Sequence, residues 1–251
     1  MRHRVKYNQS RIRTQGNLAL KILHVRAVRM TKGSPRRVLR LYRGHVRRRP
    51  SILEGSVGMN MLETIKGCRS VRKYTSEQIA REDLERIVEA GIYSANAGGA
   101  QRSVVVTLHD AALAEKVGKL NIARFDRGNL IGNRVSSEQP SVIDDPSIKN
   151  GFYGAPAAVC VFCQKDFVFS VPDAFVVAQA MALEAHSLGI SSCIVSRGEQ
   201  TFVSEEGRSL LAAWGVPDNY ICRAFLALGY CEGPYPQAKP RREGRVKIVE
   251  G

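Results

Sequence analysis

The amino-acid sequence predicts one compact domain that mixes buried strands with helices and follows a basic extension. The chain has 251 residues, of which 44% are apolar, and this is enough to form one substantial core. Several short apolar runs have the length of buried strands, and other segments carry apolar residues at helical spacing. The fold is therefore expected to contain both kinds of element.

The first helix is predicted from a capping box and the apolar periodicity that follows it. Thr75-Ser76-Glu77-Gln78 fits the capping pattern, which satisfies free backbone donors at a helix start. The apolar residues that then recur at helical spacing are Ile79, Leu84, Ile87, Val88 and Ile92. We expect this helix to run to about Ala90 and to end before the glycine turn "ANAGGAQR".

The later elements follow in an alternating order. The predicted strands are "SVVVTL" (103–108), "APAAVCVFC" (155–163), "ISSCIVS" (190–196) and "ICRAFLALGY" (221–230). The predicted helices cover 111–119, 172–189 and 204–214, and Gly189 stops the second of these. Residues 121–153 are polar without strong periodicity, which is typical of a binding loop. A proline-rich arm is expected to lead to a last strand at the C-terminus.

The positive charge of the chain is concentrated near its start. Residues 1–60 hold 16 of the 38 Lys and Arg but only one of the 23 acids, Glu54, so the rest is close to neutral. Residues 1–58 are predicted to be a mostly disordered extension, and residues 59–251 the folded domain. Three interpretations of the extension stay open: a basic arm for nucleic acid or anionic membrane, an organellar presequence, or a stretch upstream of a true start at Met59 or Met61.

The sequence argues against several classes of protein. No apolar run approaches the length of a membrane span, and no signal-peptide pattern is found, so we expect a cytoplasmic protein without membrane association. The six cysteines lie mostly in strand-like apolar runs, which favours reduced thiols. Neither a dinucleotide fingerprint nor a P-loop occurs.

Two motifs with metal-ligating residues have a simpler structural interpretation. Cys160 and Cys163 have the spacing of half a zinc site, but residues three apart in a strand point to opposite faces. We therefore interpret them as core thiols. His186 lies on the apolar helix 172–189, where a structural histidine is favoured over a ligand. No metal site is predicted.

Two basic clusters, far apart in the sequence, form the candidate site. Arg69, Ser70 and Arg72 precede the first predicted helix, and the second cluster contains Lys239, Arg241, Arg242 and Arg245. Guanidinium groups bind phosphate oxygens in pairs, and a glycine turn such as "AGGA" (97–100) lets backbone approach a ligand closely. If the clusters converge beside such a turn, they make a site for a phosphate and a planar ring.

Four motifs of residues 61–251 resemble those of the FMN-dependent nitroreductases. They are "RSVRKYTSEQI", "SANAGGAQ", "HSLGISSCIV" and "LALGYCEGPYPQAKPR", and they occur in the family's order and approximate spacing. The resemblance implies an α+β nitroreductase fold, with a central, mostly antiparallel sheet flanked by helices. It also implies a homodimer with an extended C-terminal arm and FMN at the subunit interface.

The resemblance also assigns roles to individual residues. It implies that Arg72 lies near the flavin N1–O2 edge or the ribityl chain, and that this charge supports catalysis. The other residues that it places near FMN are Arg69 and Ser70 at the phosphate, Gly98, Gly99 and Gln101 in the turn, Cys193 and Ile194 against the ring, and Lys239 and Arg241 as a second phosphate pair.

Two positions depart from the family pattern. Cys68 stands where the family usually has a first arginine, and a lost charge-assisted contact is worth about 1.5–3 kcal/mol, so we expect FMN to be held loosely. Ala100 replaces the usual asparagine of the turn, which leaves recognition of the ring more to backbone groups.

The resemblance implies hydride transfer from NADH or NADPH through the flavin to a small acceptor such as a nitroaromatic or a quinone. The alternatives within the family are flavin reduction, enone reduction, dehalogenation and dehydrogenation. A different class, nucleic-acid binding through the basic extension, predicts strongly salt-dependent binding. The neutral body and the absence of an aromatic stacking platform beside its cations argue against that activity.

Overall fold

Helices and strands alternate along residues 60–126 and 138–250, the part of the chain that the computed structural model describes. The helices are α1 (Met61–Gly67), α2 (Arg81–Ile92), α3 (Ala111–Ile122), α4 (Ser170–Ser187), α5 (Gly198–Thr201) and α6 (Glu205–Ala213). The strands are β1 (Ser103–Leu108), β2 (Ala157–Gln164), β3 (Ser191–Val195) and β4 (Tyr220–Gly229). The extension predicted for residues 1–58 lies outside the described residues.

The four strands form one sheet in the order β1-β2-β4-β3, and every neighbouring pair is antiparallel. Strand β2 is central, and seven of its eight residues are buried, as expected for a strand covered on both faces. The α+β class with an antiparallel sheet flanked by helices is therefore confirmed. The outer strands of this sheet are β1 and β3, which lie three strand spacings apart, roughly 14 Å.

Each face of the sheet is covered by its own apolar cluster. One cluster contains aromatic side chains, among them Phe152 and Phe225, whose ring centroids are 5.0 Å apart. The other lies under α2 and α4 and contains Met181. Cys160 belongs to the first cluster and Cys163 to the second. The interpretation of this pair as core thiols on opposite faces is confirmed.

Helix α4 forms most of the second cluster and is the longest described helix. Its buried residues include Val177 and Met181, and fully burying a side chain of this size stabilises a fold by about 1.5–3 kcal/mol. After the helix ends, Gly189 takes a φ of +74°, and the backbone N–H of Ile190 donates to the carbonyl of Ala185 at 2.8 Å. The predicted stop at Gly189 is confirmed because this left-handed turn favours glycine.

The predicted start of α2 at the capping box is wrong. The helix begins at Arg81, and its N-cap, Ala80, provides no side-chain hydrogen bond. Instead of closing a capping box, the Gln78 side chain donates to the carbonyl of Pro156 at 2.9 Å. The backbone N–H of Thr75 donates to the carbonyl of Tyr230 at 2.9 Å. Bonds to the start of β2 and the end of β4 thus keep residues 75–80 out of the helix.

The predicted C-terminal strand is not formed within the described chain. Residues 236–250 have neither helix nor strand, and Val246, Ile248 and Val249 are 77%, 81% and 92% exposed. A strand needs a partner for its backbone N–H and C=O groups, and this arm pairs with no described sheet edge. The described helices include none that combines the length and the apolar character needed to cross a membrane.

Candidate functional site

The first basic cluster is held against the edge of the sheet. Ser70 forms a parallel bridge with Ser192 of β3, and the backbone N–H of Val71 donates to the carbonyl of Ser192 at 2.9 Å. Val71 is fully buried. Side chains alternate along extended backbone, so burial of Val71 directs Ser70 and Arg72 to the other side. This alternation places a hydroxyl and a guanidinium side by side.

The C-terminal arm returns the second basic cluster to the first. Cys231 forms a bridge with Tyr74, and the backbone N–H of Glu232 donates to the carbonyl of Lys73 at 3.0 Å. The arm then passes a cavity of about 250 Å³. The cavity is lined by Arg69, Ser70, Arg72, Glu138, Gln139, Pro236, Gln237, Lys239 and Arg241. Two clusters separated by more than 160 residues thus meet at one cavity.

The electrostatics of the cavity favour an anion. Its lining, counted over the described residues, has four cationic side chains and one carboxylate, that of Glu138. Within the described residues, none of the four cations forms an ion pair with a carboxylate. Guanidinium and ammonium groups that converge without a counterion make strong, charge-assisted hydrogen bonds to phosphate or carboxylate oxygens. The cavity can therefore hold an anionic group.

Arg72 is the most constrained of these cations. Its backbone N–H donates to Oε1 of Gln139 at 2.6 Å. The guanidinium lies 5.9 Å from the centre of the Tyr153 ring. Its Nε is buried and has no hydrogen-bond partner among the described residues. A buried donor without a partner is costly, so Nε is available to a ligand acceptor.

Cys193 and Ile194 adjoin the first cluster without lining the cavity. Cys193 is 3% exposed and packs into the aromatic cluster, while Ile194 packs against the cluster under α4. Burial raises the pKa of the Cys193 thiol, and the charge of Arg72 lowers it by less. This thiol stays protonated at neutral pH, so its contribution is packing beneath Ser70.

The glycine turn lies at the opposite edge of the sheet from the cavity. It leads into β1, whereas Ser70 pairs with β3. Gly98 and Gly99 both have a φ of +62°, and a Cβ at either position would meet nothing within 4 Å. Gln101 also has a positive φ, of 50°. Within one chain, the structure does not bring these three predicted residues to the cations.

The side chain of Cys68 points away from the cavity. Its sulfur lies 3.7 Å from the carbonyl of Ala182 on α4, and burial raises the pKa of its thiol. The residue is not among those that line the cavity. The geometry therefore gives no support to the expectation that Cys68 loosens the hold on FMN.

Sequence reasoning missed several residues at the cavity. Gln139 lies in the polar segment 121–153, which predicted a binding loop without indicating which side chain takes part. Pro236 and Gln237 lie in the proline-rich arm between the two predicted clusters. Tyr153 has a φ of +58°, which is rare for a bulky residue and has no signature in the sequence. Only contacts between distant segments reveal these residues.

Comparisons with known proteins identify the family and the fold of this chain. A profile described as the Nitroreductase family matches residues 65–230. A crystal structure of a nitroreductase with bound FMN from Bacteroides fragilis is 28% identical, with a TM-score of 0.62, and the match covers 76% of this chain and 99% of that one. A nitroreductase with bound FMN from Desulfitobacterium hafniense is similar in fold, at 24% identity, a TM-score of 0.62, and coverage of 76% and 100%.

A curated relative has a named activity. It is an NADPH-flavin oxidoreductase from Vibrio harveyi, 25% identical over 195 residues, which make up 76% of this chain and 73% of the relative.

Proposed function

This chain belongs to the nitroreductase family, and from that premise we propose that it is an FMN-dependent oxidoreductase that uses NADH or NADPH to reduce a small oxidised acceptor. The observation that carries the proposal is the meeting of four cations at one cavity, with the buried Nε of Arg72 among them. Nitroaromatics and quinones are the proposed acceptors.

The residues at the cavity fit the cofactor. Arg69, Lys239 and Arg241 offer charged donors without carboxylate partners among the described residues, which suits a phosphate. The Arg72 guanidinium offers a further donor to an uncharged acceptor such as a ring carbonyl. FMN, when bound, supplies the hydride chemistry that protein side chains lack.

The chain contributes binding, orientation and charge. The proposed phosphate ligands are Arg69, Lys239 and Arg241. Binding the phosphate fixes the position and orientation of the cofactor. Gln139 and Tyr153 hold Arg72 in place before any ligand arrives. A fixed guanidinium stabilises negative charge that develops next to it, because no reorganisation is needed at the moment of reaction. Arg72 is therefore the residue that we propose to support catalysis.

A second copy of the chain completes the proposed site. Gly98, Gly99 and Gln101 lie at the β1 edge, in open space, and cannot reach the cations of their own chain along the shortest path across the sheet. Exposed apolar side chains occur on α1, where Met61 is 65% exposed, and on the arm, where Ile248 is 81% exposed. Burying such surfaces between two chains is favourable. We propose a homodimer in which the partner supplies the glycine turn.

A second acceptor is favoured by one relative. The protein from Vibrio harveyi is an NADPH-flavin oxidoreductase, so free flavin is the alternative acceptor proposed for this chain.

We also propose a cytoplasmic location, because all six cysteines are free thiols and four of them are buried.

The test of the function is cofactor release followed by an activity assay. The purified full-length protein is expected to be yellow, to release FMN on acid treatment and to oxidise NADH or NADPH. Anaerobic reduction followed by nitroaromatic, quinone and free-flavin acceptors then ranks the substrates. A colourless protein that takes up no added FMN would contradict the proposal.

Two neighbouring arginines provide a matched control for the phosphate site. Both side chains are exposed, but Arg241 lines the cavity and Arg242 does not. Arg241→Ala is expected to raise the Kd for FMN about ten- to a hundredfold, because a charge-assisted hydrogen bond is lost. Arg242→Ala, which removes the same charge from the same arm, is expected to leave the Kd nearly unchanged. Equal effects of the two changes would show a diffuse charge effect rather than a site.

A further inference from the structure

The hydroxyl of Tyr235, a residue of the C-terminal arm, contacts two distant segments of the chain. The backbone N–H of Arg69 donates to this hydroxyl at 3.0 Å. The same hydroxyl lies 3.3 Å from Nδ1 of His186, near the end of α4. The rings of Tyr235 and His186 are stacked, with centroids 5.8 Å apart and an interplanar angle of 26°. One side chain of the arm thus contacts both the first basic cluster and the core helix.

The direction of these hydrogen bonds follows from what each group can donate. A backbone N–H only donates, so the Tyr235 oxygen accepts from Arg69. The single phenolic proton is then free to be donated to Nδ1 of His186, which must be unprotonated there. Burial raises the pKa of Tyr235, while burial and then the charge of Arg69 lower the pKa of His186. Both shifts keep the two groups in the neutral forms that this arrangement requires.

Tyr235 occupies a decisive position along the arm. The residues immediately after it that line the cavity are Pro236, Gln237, Lys239 and Arg241. Among the hydrogen bonds of the described residues, none beyond Tyr235 joins the arm to the body of its own chain. The placement of Lys239 and Arg241 therefore depends on the last anchored residue, which is Tyr235.

The imidazole ring of His186 is itself fixed by close packing. A Cβ added at Gly67 would lie 2.5 Å from Nε2 of His186, so the imidazole lies directly against the backbone at the end of α1. Two residues before His186 on α4, Glu184 forms an ion pair with Arg86 of α2 at 2.9 Å and is thereby directed away from the ring. His186 thus offers a fixed acceptor to the arm.

We propose that Tyr235 is a positioning residue that holds the phosphate-binding cations of the arm against Arg69, with His186 orienting its hydroxyl. The inference rests on the proposed function in one respect, namely that the anion is the phosphate of FMN. Tyr235 does not line the cavity and acts through Arg69 and through the residues that follow it.

The experiment compares two flavins that differ only in the phosphate. The apoprotein of the full chain is titrated with FMN and with riboflavin, and binding is followed by quenching of flavin fluorescence. Tyr235→Phe keeps the ring and removes the hydroxyl, and it is expected to raise the Kd for FMN about tenfold, as expected for two lost hydrogen bonds. The Kd for riboflavin is expected to stay within about twofold of the wild-type value.

Changes at His186 give an independent test of the same arrangement. His186→Asn keeps an acceptor close to the position of Nδ1 and is expected to preserve FMN affinity. His186→Leu removes the acceptor and is expected to weaken FMN binding by less than Tyr235→Phe does, because one hydrogen bond is lost rather than two, again with riboflavin unaffected. Tyr220→Phe, at the other end of β4, is the control for loss of a tyrosine hydroxyl and is expected to have no effect.

The outcomes separate the inference from the function on which it rests. A wild-type protein that binds no FMN overturns both. A wild-type protein that binds FMN, together with an unchanged Kd in Tyr235→Phe, overturns only the role of Tyr235. Equal weakening of FMN and riboflavin also overturns it, because general destabilisation affects both flavins alike. If Tyr235→Phe does not fold, the pair His186→Leu and His186→Asn decides the question by the same comparison.

Discussion

At the scale of single residues, Arg72 combines burial, charge and an unused donor. Gln139 accepts from its backbone N–H, its guanidinium lies 5.9 Å from the centre of the Tyr153 ring, and Nε has no partner among the described residues. A protein rarely leaves a buried donor unpaired without a functional reason. Arg72 is thus prepared to bind a ligand before the ligand arrives.

Replacing Arg72 tests its proposed role in the chemistry. Arg72→Ala is expected to slow reduction of the bound flavin by NADH or NADPH roughly 10- to 100-fold, because a preorganised positive charge is lost where negative charge develops. Stopped-flow absorbance under anaerobic conditions measures the rate of flavin reduction in protein that is saturated with FMN. Lys73→Ala is the control, since Lys73 is exposed and does not line the cavity. A rate within about twofold of wild type would remove Arg72 from this role.

His186 makes the stability of the protein depend on pH. Its pKa in the folded state is below the usual value of 6.5, because of burial and the charge of Arg69. The unfolded chain therefore binds a proton first as the pH falls. This contribution to stability is intact above about pH 6.5 and is lost as the pH falls from there towards the folded pKa.

The expected result is a smaller pH dependence in His186→Asn than in the wild type. Urea unfolding at about pH 7.5 and about pH 5.5 gives the two free energies of unfolding for each protein. Asparagine does not titrate, so the wild type should lose more stability between these values than the variant does. If both proteins lose the same amount, His186 is not a source of the pH dependence.

At the scale of elements, helix α6 packs so closely against the preceding segment that only glycine fits. A Cβ at Gly207 would lie 2.6 Å from Cα of Phe202. Phe202 is nearly buried, and its ring lies 5.7 Å from the rings of both Phe162 and Trp214. Because the obstacle is backbone, the whole helix would have to move.

Gly207→Ala is therefore expected to destabilise the fold by about 1–3 kcal/mol, although alanine favours helix. The free energy of unfolding in urea measures the change. Ser209→Ala lies on the same helix at an exposed position and is expected to have a small effect. A Gly207→Ala variant as stable as the wild type would show that α6 can shift without cost.

At the scale of the whole molecule, the arm has two parts with different surroundings. Residues up to Arg241 line the cavity, whereas Val246, Ile248 and Val249 are exposed apolar side chains. An exposed apolar patch of this kind is typical of an interaction surface. Together with the glycine turn at the far sheet edge, it supports the proposed dimer.

Removing residues 243–251 is expected to weaken the dimer, while the four cations that line the cavity stay in the chain. Sedimentation velocity over a range of concentrations should show a homodimer for the full chain and a shift towards monomer for the shortened one. FMN affinity should fall in parallel, because the partner supplies the glycine turn. A full-length protein that is monomeric and fully loaded with FMN would contradict this part of the proposal.

Much of the fold was predictable because its patterns are local. The strands and α4 were placed by apolar runs and by Gly189, since burial on both sheet faces and a left-handed turn leave clear sequence signals. The start of α2 was misplaced because Gln78 bonds to Pro156, about 80 residues away. The last strand was overpredicted because a strand depends on an edge that periodicity does not reveal.

Local sequence patterns specified the components of the candidate site: two basic clusters, a glycine turn and a polar loop in a neutral body. The presence of both strands and helices followed from local patterns, because side-chain alternation and helical spacing are properties of neighbouring residues, while the α+β class was implied by the family resemblance. The folded chain, in contrast, reveals that Arg69 and Arg241 share a cavity, that Gly98 lies away from it, and that the Tyr235 hydroxyl accepts from Arg69. These are contacts across long stretches of chain, and their energies depend on how whole elements pack rather than on any local pattern.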